Sequence, residues 1–319
     1  MEEETQANIS GEEKKVANPF LEKSAITYDK ENEENRKQQE YIYSYSGDAL
    51  DYDEVYKYTT RNDAKIVIVA GEQASGKTTL EVMLYRMFLE GKNNLLQFAG
   101  SVTMKVFQER SIYLLKKSGK EEADVERTLV GNRKFLNLSV CNKNKNRINL
   151  LFTDFAGEQF KNESVLREQK EYFGTAENVI LTIDGEQLSK PRERGIVFLN
   201  LEILIRQLFT NEILTKKSNL YLVCTKYDKI KDLEKCQQIK NMIDTEYHKI
   251  QENYQTVVNH MELEYLSALQ VEEDEERAKL ERLLEHLAYG TDRKQNNTLE
   301  KFEIESVRLE RQYDKFKAR

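Results

Sequence analysis

The chain has 319 residues, long enough for one large α/β domain or two small ones, and its 39% hydrophobic content supports a sizeable core. A charged fraction of 33% with only two prolines points to long solvated helices, and no apolar run approaches the roughly 20 residues that a membrane-spanning helix needs. The net charge of −7 resides in residues 1–60, which hold fifteen Asp and Glu against seven Lys and Arg; elsewhere the basic residues are dispersed without a stripe, so no nucleic-acid partner is expected.

The first residues, MEEETQANISGEEKK, lack the basic flank and apolar centre of a signal peptide, so a cytoplasmic protein is expected. Cys141, Cys224 and Cys236 form no C-x-x-C pair and read as plain thiols of a reducing compartment. His248, His260 and His286 all fall late in the chain, which argues against histidine acid–base catalysis. Residues 1–60 read as an acidic leader, and up to about residue 40 its composition favours disorder. An aromatic stretch including Tyr41, Tyr43, Tyr45, Tyr52, Tyr56 and Tyr58 follows and is expected to pack over an edge strand, the alternative being a partner-binding segment.

A short apolar run at 66–70 predicts a buried strand, and GEQASGKT at 71–78 matches the phosphate-binding pattern G-x-x-x-x-G-K-[ST]. In such a loop backbone N–H groups, those of Ala74 and Ser75 among them, point inward at a phosphate, and Gly71 and Gly76 permit backbone that a side chain would obstruct. Lys77 reaches the outer phosphates and Thr78 puts a hydroxyl on Mg²⁺. The helix opening at Thr79, expected over 79–90, aims the positive end of its dipole at the anion. About 44 residues then precede the next strand, too long for a plain loop; helical apolar spacing at 106–117 predicts a helical insert over about 103–130.

Strands at 135–140 and 148–153 are separated only by the polar turn 142–147, too short for a crossover, and should pair as an antiparallel hairpin. The second ends in LLFTDFAGE, which contains D-x-x-G: Asp154 suits Mg²⁺ held through water, and Gly157 suits a backbone N–H offered to a γ-phosphate. A helix near 162–172, a strand at 179–183 and a helix at 196–210 follow. The strand at 220–224 runs into Thr225-Lys-Tyr-Asp228, a T-K-x-D variant of N-K-x-D. There the Asp228 carboxylate can accept hydrogen bonds from the ring N–H and amine of guanine and would repel adenine, while Lys226 would cover the base and brace the phosphate loop. Beyond a helix at 233–258, a strand at 261–266 leads to Ser267 and Ala268, whose backbone groups would face guanine O6. A helix at 272–288 closes the domain, set at 61–291, and 292–319 reads as an amphipathic C-terminal helix. Together these elements predict a three-layer α/β/α P-loop NTPase fold. Its sheet would be six-stranded and mostly parallel, with one antiparallel edge strand and a helical switch-region insert.

The four motifs in this order resemble the translation-factor-related, Ras-like class of P-loop GTPases over roughly residues 64–290. FAGSVT at 98–103, DFAGEQF at 154–160 and IDG at 183–185 look more closely like the double-GTPase family of bacterial conflict systems. That resemblance implies a GTP/GDP switch in antiviral defence, with a companion GTPase and effector proteins as partners and room for a nucleotide-dependent dimer. It also implies that Thr103 contacts Mg²⁺ and the γ-phosphate when GTP is bound, with Ser101 the competing hydroxyl. Glu158 stands where Ras-like proteins carry a water-orienting glutamine, and a carboxylate sits unfavourably beside a γ-phosphate, so slow intrinsic hydrolysis is expected. Arg192 and Arg194 are candidate arginine fingers in cis. The rival readings are a P-loop ATPase or kinase, and a nucleotide-binding scaffold with little turnover.

Overall fold

A computed structural model describes residues 45–89, 93–114, 133–270 and 273–290. The chain divides into two units, Met1–Ser44 and Tyr45–Arg319, and every described residue belongs to the second. The leader up to about residue 40, where disorder is expected, and the C-terminal helix expected at 292–319 both lie outside the described residues.

Seven strands form one sheet: β1 (Ala64–Gly71), β2 (Leu96–Gly100), β3 (Arg133–Asn142), β4 (Arg147–Phe155), β5 (Asn178–Asp184), β6 (Asn219–Thr225) and β7 (His260–Tyr265). Their order across the sheet is β2-β3-β4-β1-β5-β6-β7. β1 pairs in parallel with β4 and β5, and β6 with β5 and β7, while β3 runs antiparallel to both β2 and β4. The mostly parallel α/β/α fold is therefore as expected, with its reversed strand towards one edge. β2 raises the strand count from six to seven and forms that edge itself. It escapes periodicity because LQFAG is short, ends in Ala-Gly and is only partly buried beyond Leu96.

Alternation along the strands divides the core. In β1, Ile66, Ile68 and Ala70 face one side and Val67 and Val69 the other, as the two-residue side-chain period requires. The first side is covered by α1 (Tyr52–Thr59), α7 (Arg194–Thr210) and α9 (Cys236–Tyr254). The second is covered by α2 (Lys77–Arg86), α3 (Met104–Leu114) and α10 (Asp274–Tyr289). Four short helices punctuate the loops: α4 (Glu163–Glu168), α5 (Lys170–Phe173), α6 (Gly185–Ser189) and α8 (Asp228–Lys231). No helix among the described residues is long and apolar enough to cross a membrane.

The aromatic stretch from Tyr45 packs on the domain. Leu50 exchanges both backbone hydrogen bonds with Phe135 of β3, each 2.9 Å. Asp51 then caps α1 in a reciprocal capping box with Glu54, and Val55 and Tyr58 are buried beneath it. Helix α3 occupies the start of the expected insert; residues 115–132 lie outside the described ones.

Candidate nucleotide site

The phosphate-loop sequence folds as a strand–loop–helix turn. β1 ends at Gly71, and α2 opens at Lys77 behind Gly76, which takes the left-handed conformation at φ 85°. Ala74 is also left-handed, at φ 59°, and Ser75 N, expected to point at a phosphate, donates to Glu72 O at 3.3 Å in this structure. A Cβ on Gly71 would lie 2.1 Å from Thr182 Oγ1 and 2.9 Å from Ser75 Oγ, so this cradle closes only around glycine. Ser75 Oγ shares a 2.6 Å hydrogen bond with Thr182 Oγ1, fixing the loop to β5. Lys77 turns back over the loop and donates to the carbonyls of Gly71 at 3.1 Å and Glu72 at 2.7 Å. Thr78 and Thr79 are half-buried in the first turn of α2, where unpaired N–H groups and the helix dipole favour an anion. Loop, lysine and helix start fit a polyphosphate.

Asp154, buried at the C-terminal end of β4, faces α3, and Arg110 Nη2 lies 2.6 Å from its Oδ2. Glu81, one turn along α2 from Lys77, is 2% exposed in the same neighbourhood; burial, with Asp154 adding to it, pushes its carboxyl well above the usual range. The Arg110 guanidinium balances the buried charge of Asp154. Asp154, and the Thr78 hydroxyl in the first turn of α2, are oxygen donors of the hard kind that Mg²⁺ prefers.

The D-x-x-G turn is pressed against the phosphate loop. Thr153 Oγ1 accepts from Val69 N at 2.9 Å, Lys161 pairs with Glu72 at 2.7 Å, and a Cβ on Gly157 would meet Gly71 O at 2.4 Å. Gly157→Ala is therefore expected to force the two loops apart and to lower stability by about 1–3 kcal/mol, read as a fall in the melting temperature of the nucleotide-free protein. Glu158 follows in the 3-10 turn Gly157–Lys161, and its side chain lies outside the described residues.

Ser101 and Thr103 stand elsewhere. Ser101 Oγ donates to Asn137 O at 2.6 Å, and Thr103 Oγ1 accepts from Asn137 N at 2.9 Å and is fully buried. Asn137 is three positions along β3 from Lys134, the residue opposite Asp154, which places this contact roughly 10 Å down the strand. In this structure both hydroxyls are occupied by the β3 backbone. The residue that the insert does bring to Asp154 is Arg110, which motif reading missed because nothing in KVFQERSIYL marks one arginine of a helix as special. Of the arginines proposed from sequence, Arg192 is exposed and Arg194 donates through Nε to Leu188 O at 2.7 Å.

The base-reading residues converge at the ends of β6 and β7. Thr225 Oγ1 donates to Ser75 O at 2.6 Å and approaches Ile183 O at 3.1 Å, joining β6, β5 and the phosphate loop. Lys226, left-handed at φ 51°, pairs with Asp184 at 2.9 Å and Glu186 at 3.2 Å, so its ammonium braces the β5–α6 turn in this structure. Burial opposes its charge, but those hydrogen bonds and carboxylates outweigh it and hold its pKa above the ordinary lysine value. Asp228 is half-buried at the start of α8, and its side chain makes no hydrogen bond or ion pair with the described residues. Tyr227 N donates to Leu266 O at 3.1 Å, which stitches this loop to the one after β7. There Ser267 N is given to the buried Glu276 carboxylate at 2.7 Å, whereas Ala268 opens a 3-10 turn, where leading N–H groups lack internal partners.

Sheet order, glycine-shaped loop and converging strand ends define a P-loop α/β/α protein. Residues 65–288 match the profile of the family described as Double-GTPase 2, and the chain belongs to that family, one of guanine-nucleotide-binding proteins. No curated protein matches. Among solved structures, one similar chain comes from the signal recognition particle receptor SRb-GTP/SRX complex of Chaetomium thermophilum. The identity is 14% and the TM-score 0.37, over 64% of this chain and 90% of that one.

Proposed function

We propose that this chain is a slow GTP-hydrolysing switch that works with Mg²⁺ in a cytoplasmic bacterial defence system, alongside a companion GTPase and effector proteins. The observation carrying the guanine reading is Asp228, a half-buried carboxylate without a partner among the described residues, set between Thr225 and the Leu266–Ala268 loop. Its two oxygens can accept the ring N–H and amine of guanine, and Ala268 N–H can donate to O6. Lys77 and the loop N–H groups bind the β- and γ-phosphates; Lys77 would exchange the carbonyls of Gly71 and Glu72 for phosphate oxygens. Thr78 and Asp154 would hold Mg²⁺, which supplies positive charge to the phosphoryl-transfer transition state. Gly157 N–H would orient the γ-phosphate and Glu158 the water, a poor role for a carboxylate beside a polyanion, hence the slow turnover. Thr103 serves as switch ligand only if GTP draws it off Asn137.

The test is competition of labelled GTP against ATP, followed by phosphate release in Mg²⁺. GTP preference with slow release above background supports the reading, and ATP preference overturns it. A scaffold with little turnover is the second reading, favoured by the Arg110 guanidinium lying on Asp154. It predicts GTP binding with phosphate release at background even when a companion GTPase is present. The defence role rests on family resemblance and is tested by loss of phage protection when the gene carries Lys77→Ala.

A further inference from the structure

Two cations have a claim on one carboxylate. Asp154 is 2% exposed, and Arg110 from α3 is bound to it at 2.6 Å with only 18% of its own side chain exposed, so the pair is shielded where an uncompensated charge is costly. The same carboxylate is the one through which the nucleotide's metal would be held.

The element that carries Arg110 is seated on α2 by one apolar face. Helix α3 buries Phe107, Ser111 and Leu114, with Phe107 stacked on Tyr85 of α2 at 5.1 Å, while Ile112 and Tyr113 face outwards. Lys105, also on α3, pairs with Asp48 at 2.7 Å, about half exposed at both ends and worth little in water. Directly before α3, Ser101 and Thr103 are held by Asn137. Arg110 and the Asn137 contacts are thus the polar ties that hold this segment beside β4 and β3.

We propose that Arg110 is a metal-displaced latch: it neutralises Asp154 until Mg²⁺–nucleotide takes that carboxylate, and its expulsion frees α3 together with the Ser101–Thr103 segment. This rests on the nucleotide reading above. A divalent cation at Asp154 repels a guanidinium at hydrogen-bond distance from the same group, so the two occupancies exclude one another. Loading of the metal and release of the switch segment then become a single equilibrium, because the ligand acts by its differential affinity for the two arrangements.

The latch is tested on the full chain with Arg110→Gln, using release of fluorescently tagged GDP at increasing Mg²⁺. Deleting a charge-assisted bond that competes with the metal should lower the half-saturating Mg²⁺ roughly tenfold or more, whereas Arg110→Lys, which keeps a cation, should stay near wild type. In the wild-type chain, hydrogen exchange over α3 should rise when Mg²⁺ and a non-hydrolysable GTP analogue are added, and in Arg110→Gln it should be fast with or without them. Tagged GDP bound normally but with unchanged or weaker Mg²⁺ dependence in Arg110→Gln overturns the latch, as does wild-type α3 exchange indifferent to metal and nucleotide. Should Arg110→Gln not fold, the wild-type exchange over α3 decides by the same criterion. Wild-type protein that binds no guanine nucleotide at all overturns the nucleotide reading first, and the latch with it.

Discussion

Lys77→Ala is expected to weaken GTP binding by on the order of a hundredfold, and to cut hydrolysis at saturating GTP by a further factor of about a hundred to a thousand. Lys77 already bends back over the loop, donating to two of its carbonyls. Those bonds are neutral–charged and replaceable; the bonds to phosphate oxygens that succeed them join opposite full charges and are the stronger kind. Alanine keeps the helix, since Ala is the best helix former, so the loss falls on the ligand rather than the fold. Titration of tagged GTP, single-turnover phosphate release and a melting curve separate the three quantities. Full affinity in the variant would mean that the phosphates are gripped elsewhere.

Asp228→Asn should reverse the base preference, lowering the GTP-over-XTP ratio by on the order of a thousandfold. The wild-type carboxylate can only accept, which matches the ring N–H and amine of guanine. Asparagine turns one of those acceptors into an NH₂ donor, which opposes the guanine amine and meets the oxygen that xanthine carries there. The scaffold around the position should not move, because Tyr227 N–Leu266 O and Thr225 Oγ1–Ser75 O use no atom of Asp228. Competition between GDP and XDP for the variant reads the ratio directly, and an unchanged preference for GDP would remove Asp228 from the base pocket.

The strands and the phosphate loop were legible because they obey local rules. β1 and β6 are unbroken apolar runs, and G-x-x-x-x-G-K-T has to take one backbone path to fit its own glycines. What sequence left open depends on distant partners. β2 is made by pairing with β3 rather than by its own propensity, and α1 by the Leu50–Phe135 exchange that seats it. Lys226 looks free to cover a base until Asp184 and Glu186, some 40 positions away in sequence, are brought to its ammonium. Arg110 and Asp154 are likewise 44 positions apart, with the whole hairpin strand β3 between them. Thr103 is named by resemblance, but its present company is set by the register of β3.

The Thr225 hydroxyl lies between a carbonyl of the phosphate loop and one of β5, and Thr225 heads the turn that bears Asp228. The sugar–base half and the phosphate half of a nucleotide would thus be clasped by one continuous framework instead of two separate hands. Departure of the ligand is then governed by the dwell time of that shared joint, and a partner touching only the α8 side of the domain could shorten it without approaching a phosphate.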